Sequence, residues 1–166
     1  MEHFTRAWAD GELSDEEDDK VLPAYQAYVD ALDHDTAVWR FATTVGLHDA
    51  FVDRVSIESG DVRLRLLTGD QQRGYWHTEI TYRNARVVFG QDALAEAVLK
   101  RPTEIFYDEF AGSMPEMVHR FLLVRANGTE DRGEVHIEFA AFNFSQSPAQ
   151  GRELPPPAGA ESANHP

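Results

Sequence analysis

Seven histidines and 29 carboxylates stand in a chain without cysteine. Metal or acid–base chemistry must therefore come from imidazole and carboxylate groups. Two His-x-Glu dyads, His77/Glu79 and His136/Glu138, have the spacing for it. Residues two apart on a strand point to the same face, so each dyad can present a nitrogen and an oxygen side by side. Were the two strands neighbours, the four atoms would converge in a set that suits a divalent metal such as Zn²⁺, Mn²⁺ or Fe²⁺. The simpler expectation is no cofactor: Val135, Ile137 and Phe139 take the core side, which leaves His136 and Glu138 facing water.

A second candidate is His48-Asp49. Metal-dependent phosphohydrolases carry such a dipeptide on a helix, whereas here it follows Gly46 and leads into a strand. That context predicts a turn in which Asp49 accepts backbone N–H groups while His48 packs on the first helices. A third is Tyr107-Asp108-Glu109, with His119 and Arg120 on the next strand. Burial beside Phe106 and Phe110 would raise the pKa of either carboxyl and fit it for general acid–base work. Arg120 reaching across the hairpin would instead make the same residues a structural ion pair. No Gly-rich phosphate loop and no Gly-x-Ser-x-Gly elbow occurs, so nucleophilic catalysis has no visible support.

The elements that must hold these residues follow from period and punctuation. Ser14 and Glu17 fit a capping box that opens a helix near Asp15. Apolar positions from Val21 to Leu32 recur at helical steps, with Pro23 either starting a new helix or kinking the old one. Asp35 is a cap for a further helix that turns Val38, Trp39, Ala42 and Val45 inward and stops at Gly46. Beyond Gly46 the period falls to two. Val52, Ile57, Val62, Leu64 and Leu66 are expected on one face, with Ser59-Gly60-Asp61 as a hairpin turn. Tyr75–Tyr82, 85–89, Thr103–Phe110, Met117–Arg125 and Gly133–Phe144 continue the strands. On Thr103–Phe110, alternation puts Ile105, Tyr107 and Glu109 on one face and Phe106, Asp108 and Phe110 on the other. A short helix falls at Gln91–Lys100, and Asn127-Gly128 signals another turn. The expected fold is α+β: N-terminal helices packed on a mainly antiparallel curved sheet, or two-layer sandwich, of about seven strands with one short helix inserted. It makes a single domain over 1–144, helical over 1–46 and β over 47–144, followed by a disordered Pro-rich tail over 145–166.

The balance of 15 bases against 29 acids, a net charge of −14 at pH 7, argues against nucleic acid and anionic membranes as partners. Eight of those acids fall in the first twenty residues. No apolar run approaches the roughly 18 residues of a membrane span, and the start lacks signal-peptide character, which leads to a cytoplasmic expectation. Rings occur on both faces of Tyr75-Trp76 and of Phe106-Tyr107. Either the helices cover them, or they form an exposed patch for a protein or carbohydrate, or for homo-oligomer formation.

Three stretches together carry a resemblance: His3-Phe4-Thr5-Arg6-Ala7-Trp8, Gly46-Leu47-His48-Asp49-Ala50, and Tyr107-Asp108-Glu109 with the later strand Glu134–Phe139. Over residues 1 to 143 the chain resembles DUF4085-like bacterial families of unknown function, and the Leu-His-Asp turn also resembles polymorphic-toxin immunity proteins. The resemblance implies a bacterial, non-enzymatic protein-interaction module with a protein partner, and it brings no catalytic residue. A metal-dependent hydrolase or cupin-like enzyme using the His/Glu dyads is the alternative.

Overall fold

In the computed structural model, which describes residues 1–126 and 130–154, three helices lead: α1 (Arg6–Ala9), α2 (Asp15–Asp30) and α3 (Ala37–Thr44). The capping box forms, with Ser14 N–H and Oγ–H donating to Glu17 Oε2 at 3.1 and 2.6 Å. Four acids in the first turn of α2 complement its positive end. Pro23 neither starts nor ends this helix; it lies exposed inside it. The cap of α3 is Thr36, not Asp35, because the Thr36 hydroxyl is the one that accepts from Trp39 N–H, at 3.2 Å. Val38 and Val45 point inward as expected, together with Phe41, which is wholly buried.

Eight strands follow: β1 (Ala50–Glu58), β2 (Asp61–Asp70), β3 (Gly74–Arg83), β4 (Arg86–Phe89), β5 (Thr103–Ser113), β6 (Glu116–Arg125), β7 (Asp131–Phe139) and β8 (Ala141–Ala149), with α4 (Gln91–Leu99) between β4 and β5. They form one antiparallel sheet in the order β4-β7-β6-β5-β1-β2-β3-β8. The fold is therefore α+β, with one strand more than the pattern predicts. β7 and β8 are separated only by Ala140, yet they stand second and last in the sheet. Only a strongly curved sheet can bring those positions together, and Ala140 N–H indeed bonds Arg83 O at 3.1 Å. The concave side holds the core, where Phe41 of α3 meets Phe110, Phe142 and Phe144, and Leu94 and Ala97 of α4 fill the rest. Among the described residues no helix is long and apolar enough to cross a membrane.

Ser59 and Gly60 both adopt positive φ, 53° and 81°, as a tight hairpin turn requires. Ile57, one rung before that turn, is 49% exposed at the rim and does not share the burial of Val52, Val62, Leu64 and Leu66. A bulge at Asp53 inserts an extra residue between Val52 and Arg54, and that carboxylate, 1% exposed, sits between Arg65 and Arg101. β8 runs on through Pro148 to Ala149, past residue 144 where the rise in proline predicts the tail. Pro148 fits because β8 pairs with β3 alone, and a terminal strand tolerates a missing N–H on its open side. Arg152 then bonds Glu104 at 2.8 Å and lies over the Phe51 ring. Asn127-Gly128 and residues 155–166 lie outside the described residues.

Candidate functional site

The site grows from a defect in β5. Ile105 pairs with Leu123 and Tyr107 with Leu122, so Phe106 is an extra residue in the ladder. Strict alternation puts Ile105 with Tyr107 and Glu109. The bulge shifts the parity, and Ile105 joins Phe110 in the concave core while Tyr107 and Glu109 point out. Asp108, opposite Phe121, turns inward.

Glu109 is fully buried on the convex side because the N-terminal segment lies over it. Its carboxylate accepts from the N–H groups of Glu2, His3 and Phe4 at 2.5, 2.8 and 3.1 Å, and from Arg120 Nη1 at 3.0 Å. Burial alone would raise its pKa. The three backbone donors and the guanidinium outweigh it, so the group is held below its ordinary value and charged. The rings of Phe4, Trp8 and Tyr107 close over this knot, with centroids 4.7 to 5.8 Å apart.

Asp108 meets different partners. Its Oδ2 lies 2.9 Å from Nε2 of His119, whose Nδ1 lies 2.8 Å from the Tyr82 hydroxyl. His119 is wholly buried, and Phe110 stacks on it at 3.8 Å. Burial pushes the imidazole pKa down, against the opposing pull of Asp108. A neutral ring facing an acceptor-only carboxylate must carry its proton on Nε2, so Nδ1 accepts from Tyr82 O–H. The result is a three-membered chain, Tyr82 to His119 to Asp108, that fixes the carboxylate. Oδ1 of Asp108 has no protein hydrogen-bond partner among the described residues, and the side chain keeps 20% of its surface exposed.

Asp108 helps to line a hollow of about 230 Å³ together with Phe4, Tyr25, Leu47, His48 and Tyr107, and with Ala42 of α3. Tyr25 of α2 accepts from Phe110 N–H at 3.0 Å, on the side of β5 that no strand pairs beyond Ile105. Burial first, and then the nearby charge of Asp108, raise the pKa of this phenol well beyond its ordinary 10. His48 stands between this hollow and a second one of about 520 Å³, which includes Arg73, Trp76 and Gln146. Each hollow contains one carboxylate, Asp70 there and Asp108 here, and both share His48; the second alone adds an arginine, Arg73, and the first alone adds the phenols Tyr25 and Tyr107. Comparison with protein-family models, with curated proteins and with solved structures returns no match.

The remaining candidates are scattered. His48 rests on the β5 bulge, not on the helices: its Nδ1 lies 2.5 Å from Phe106 O and its ring 5.0 Å from Tyr107. Asp49, with φ 63°, uses its own N–H toward Ile105 O, and its carboxylate faces His48 Nε2 at 3.6 Å in place of turn amides. β3 and β7 do not pair: His77 and Glu79 lie in register with residues of β2 and β8, and His136 and Glu138 with residues of β4 and β6, so the ladders do not set the two dyads side by side. Glu79 is therefore not part of a four-residue metal set: it is exposed on β3, in register with Arg65 of β2 and Ser145 of β8, and neither of these is a metal ligand. His77, two residues before it, is half-buried opposite Leu67 and Ser147 and likewise has no ligating neighbour in register. His136 is half-buried under Phe89, 2.5 Å from Glu134, instead of facing water, and Glu138 pairs with Arg86. Among the described residues no three metal-ligating side chains gather. Arg120 does pair with Glu109 across the β5–β6 hairpin.

Sequence reasoning missed Tyr82 as a partner and the Asp53–Arg65–Arg101 group. His119 itself was legible, since Met117, Phe121 and Leu123 share its parity and all point inward.

Proposed function

We propose that the chain is a non-enzymatic interaction module for a basic protein partner, in keeping with the immunity-type resemblance of its turn and strand motifs. The observation that carries this reading is how the fold spends its reactive groups. Glu109 is saturated by four donors, His119 is enclosed between Tyr82 and Asp108, Glu138 is tied to Arg86, and the two dyads lie apart. The acidity points to the partner. Asp15, Glu16, Asp18 and Asp19 are exposed on α2, and among the described residues only Glu16 of these has an ion pair, with Lys20. Such a face attracts a basic surface and speeds its approach at low salt.

The test is affinity capture with the full chain at 50 and 500 mM salt, beside a variant carrying Asp15→Asn, Glu16→Gln, Asp18→Asn and Asp19→Asn. The expected result is one basic protein held in stoichiometric amount at low salt and lost both at high salt and with the variant. Capture indifferent to salt and to the variant, or no stoichiometric protein, overturns the reading. Glu17 is left intact because it closes the capping box.

A further inference from the structure

We propose that the hollow at Asp108 is a binding site for a primary alkylammonium group. Three features of the site carry this. The first is a carboxylate that lines the hollow, with one oxygen committed to His119 and the other without a protein hydrogen-bond partner among the described residues. Because the ring that fixes it is buried and itself held by Tyr82, the carboxylate is oriented before any ligand arrives, which lowers the ordering cost of binding. The second is the wall. Phe4 lies 4.9 Å from Tyr25 and 5.8 Å from Tyr107, and His48 lies 5.0 Å from Tyr107, all as ring-centroid distances. A cation beside such rings gains from their negative faces, and an alkyl stem gains from their apolar area. The third is the field of a chain at −14, which concentrates cations and repels anions.

Among the described residues no arginine or lysine lines this hollow, and His48 is the one basic side chain in its lining. Ala42, Val45, Gly46 and Leu47 supply no charge. A carboxylate among the rings of Phe4, Tyr25 and Tyr107, with a lining otherwise aliphatic apart from His48, matches a chain ending in –NH₃⁺ better than a carbonyl or phosphate ligand. The same group can come from a free small amine or from a lysine of a protein partner, and the two sources are separable by experiment. The second would tie this site to the interaction reading above, whereas the first stands without it.

The test is a titration of the full chain at pH 7, followed by backbone amide shifts. The probes are n-butylammonium chloride, n-butanol, and the peptide acetyl-Ala-Lys-Ala-amide with and without acetylation of its lysine. Saturable shifts at residues 46–48 and 107–109 are expected with butylammonium and not with butanol. Asp108→Asn should weaken binding at least tenfold and Tyr107→Leu about threefold. Binding of the peptide tighter than butylammonium, and its loss on acetylation, supports the site and assigns it to a partner's lysine. Binding of butylammonium alone supports it and assigns it to a free amine. No saturable shift in the wild-type chain, equal response to butanol, or undiminished binding by folded Asp108→Asn overturns the proposal.

Discussion

Asp108 and Glu109 are neighbours on one strand, and the pleat sends them to opposite sides of the sheet. Glu109 receives four donors and has no surface; Asp108 receives one donor from a buried imidazole and keeps an oxygen open. The contrast shows how a structural carboxylate can be told from an available one. Burial separates them, 0% of the side chain exposed against 20%, and the count of donors against lone pairs says why. One holds the N-terminal segment on the convex face. The other is held by the core and offers itself to a hollow.

The largest test of that contrast removes the saturated member. Glu109→Gln leaves three backbone N–H groups and Arg120 facing an amide, and losing one partner of such a buried pair costs about 3–5 kcal/mol. It should be read as a fall in the urea midpoint, together with faster tryptic cleavage at Arg6. A similar loss in Asp108→Asn would erase the distinction, because Asn can still accept from His119 and should cost only about 1 kcal/mol.

Acid comes next. The folded-state pKa values of both His119 and Glu109 are lowered, so the unfolded chain binds protons more readily at each. Stability is full above the ordinary histidine value of 6.5, declines as the pH drops below it, and declines again below the ordinary glutamate value of 4.5. Denaturant midpoints from pH 8 to 4 should show both limbs. His119→Gln should abolish the first and spare the second; an unchanged first limb would mean that another group titrates there.

A smaller effect is expected from Tyr82→Phe, which strands Nδ1 of His119 without its donor at about 1–2 kcal/mol. Because Asp108 loses one anchor of its support, the mobility of its carboxylate carbon signal should also increase. The smallest comes from Glu138→Gln. Its pair with Arg86 is largely solvent-exposed, and such bridges contribute about 0–0.5 kcal/mol, so the thermal midpoint should barely move.

Much of the fold was legible because local chemistry and tertiary demand agree. Ser14 and Glu17 announce α2, and Ser59-Gly60 announces the first hairpin with the positive φ values it needs. Alternation in β2 and β7 gives their buried faces. The illegible parts come from events that break a period. The bulges at Asp53 and Phe106 add one residue each, and a one-residue addition moves every later side chain of the strand to the other face. That is why alternation groups Ile105 with the wrong neighbours. Partners across the curved sheet, such as Tyr82 with His119, are 37 residues apart and depend on strand order, which periodicity does not encode. The same blindness to strand order let His77 and Glu79 be grouped with His136 and Glu138, although β3 and β7 stand four strands apart in between. The Arg120–Glu109 bridge was readable since hairpin partners lie opposite one another. The covering of Glu109 by residues 2–4 was not, because nothing local to Glu109 names the backbone that lies over it.

The single residue between β7 and β8 works as a leash. It is too short to let β8 reach β3 unless the end of β7 lies close to β3, so the pairing of β8 with β3 holds the two ends of the roll together. It then acts as a latch. Lengthening the chain at Ala140 by a few flexible residues should loosen that latch, letting the roll relax and changing the width of both hollows beside His48 without touching any residue that lines them.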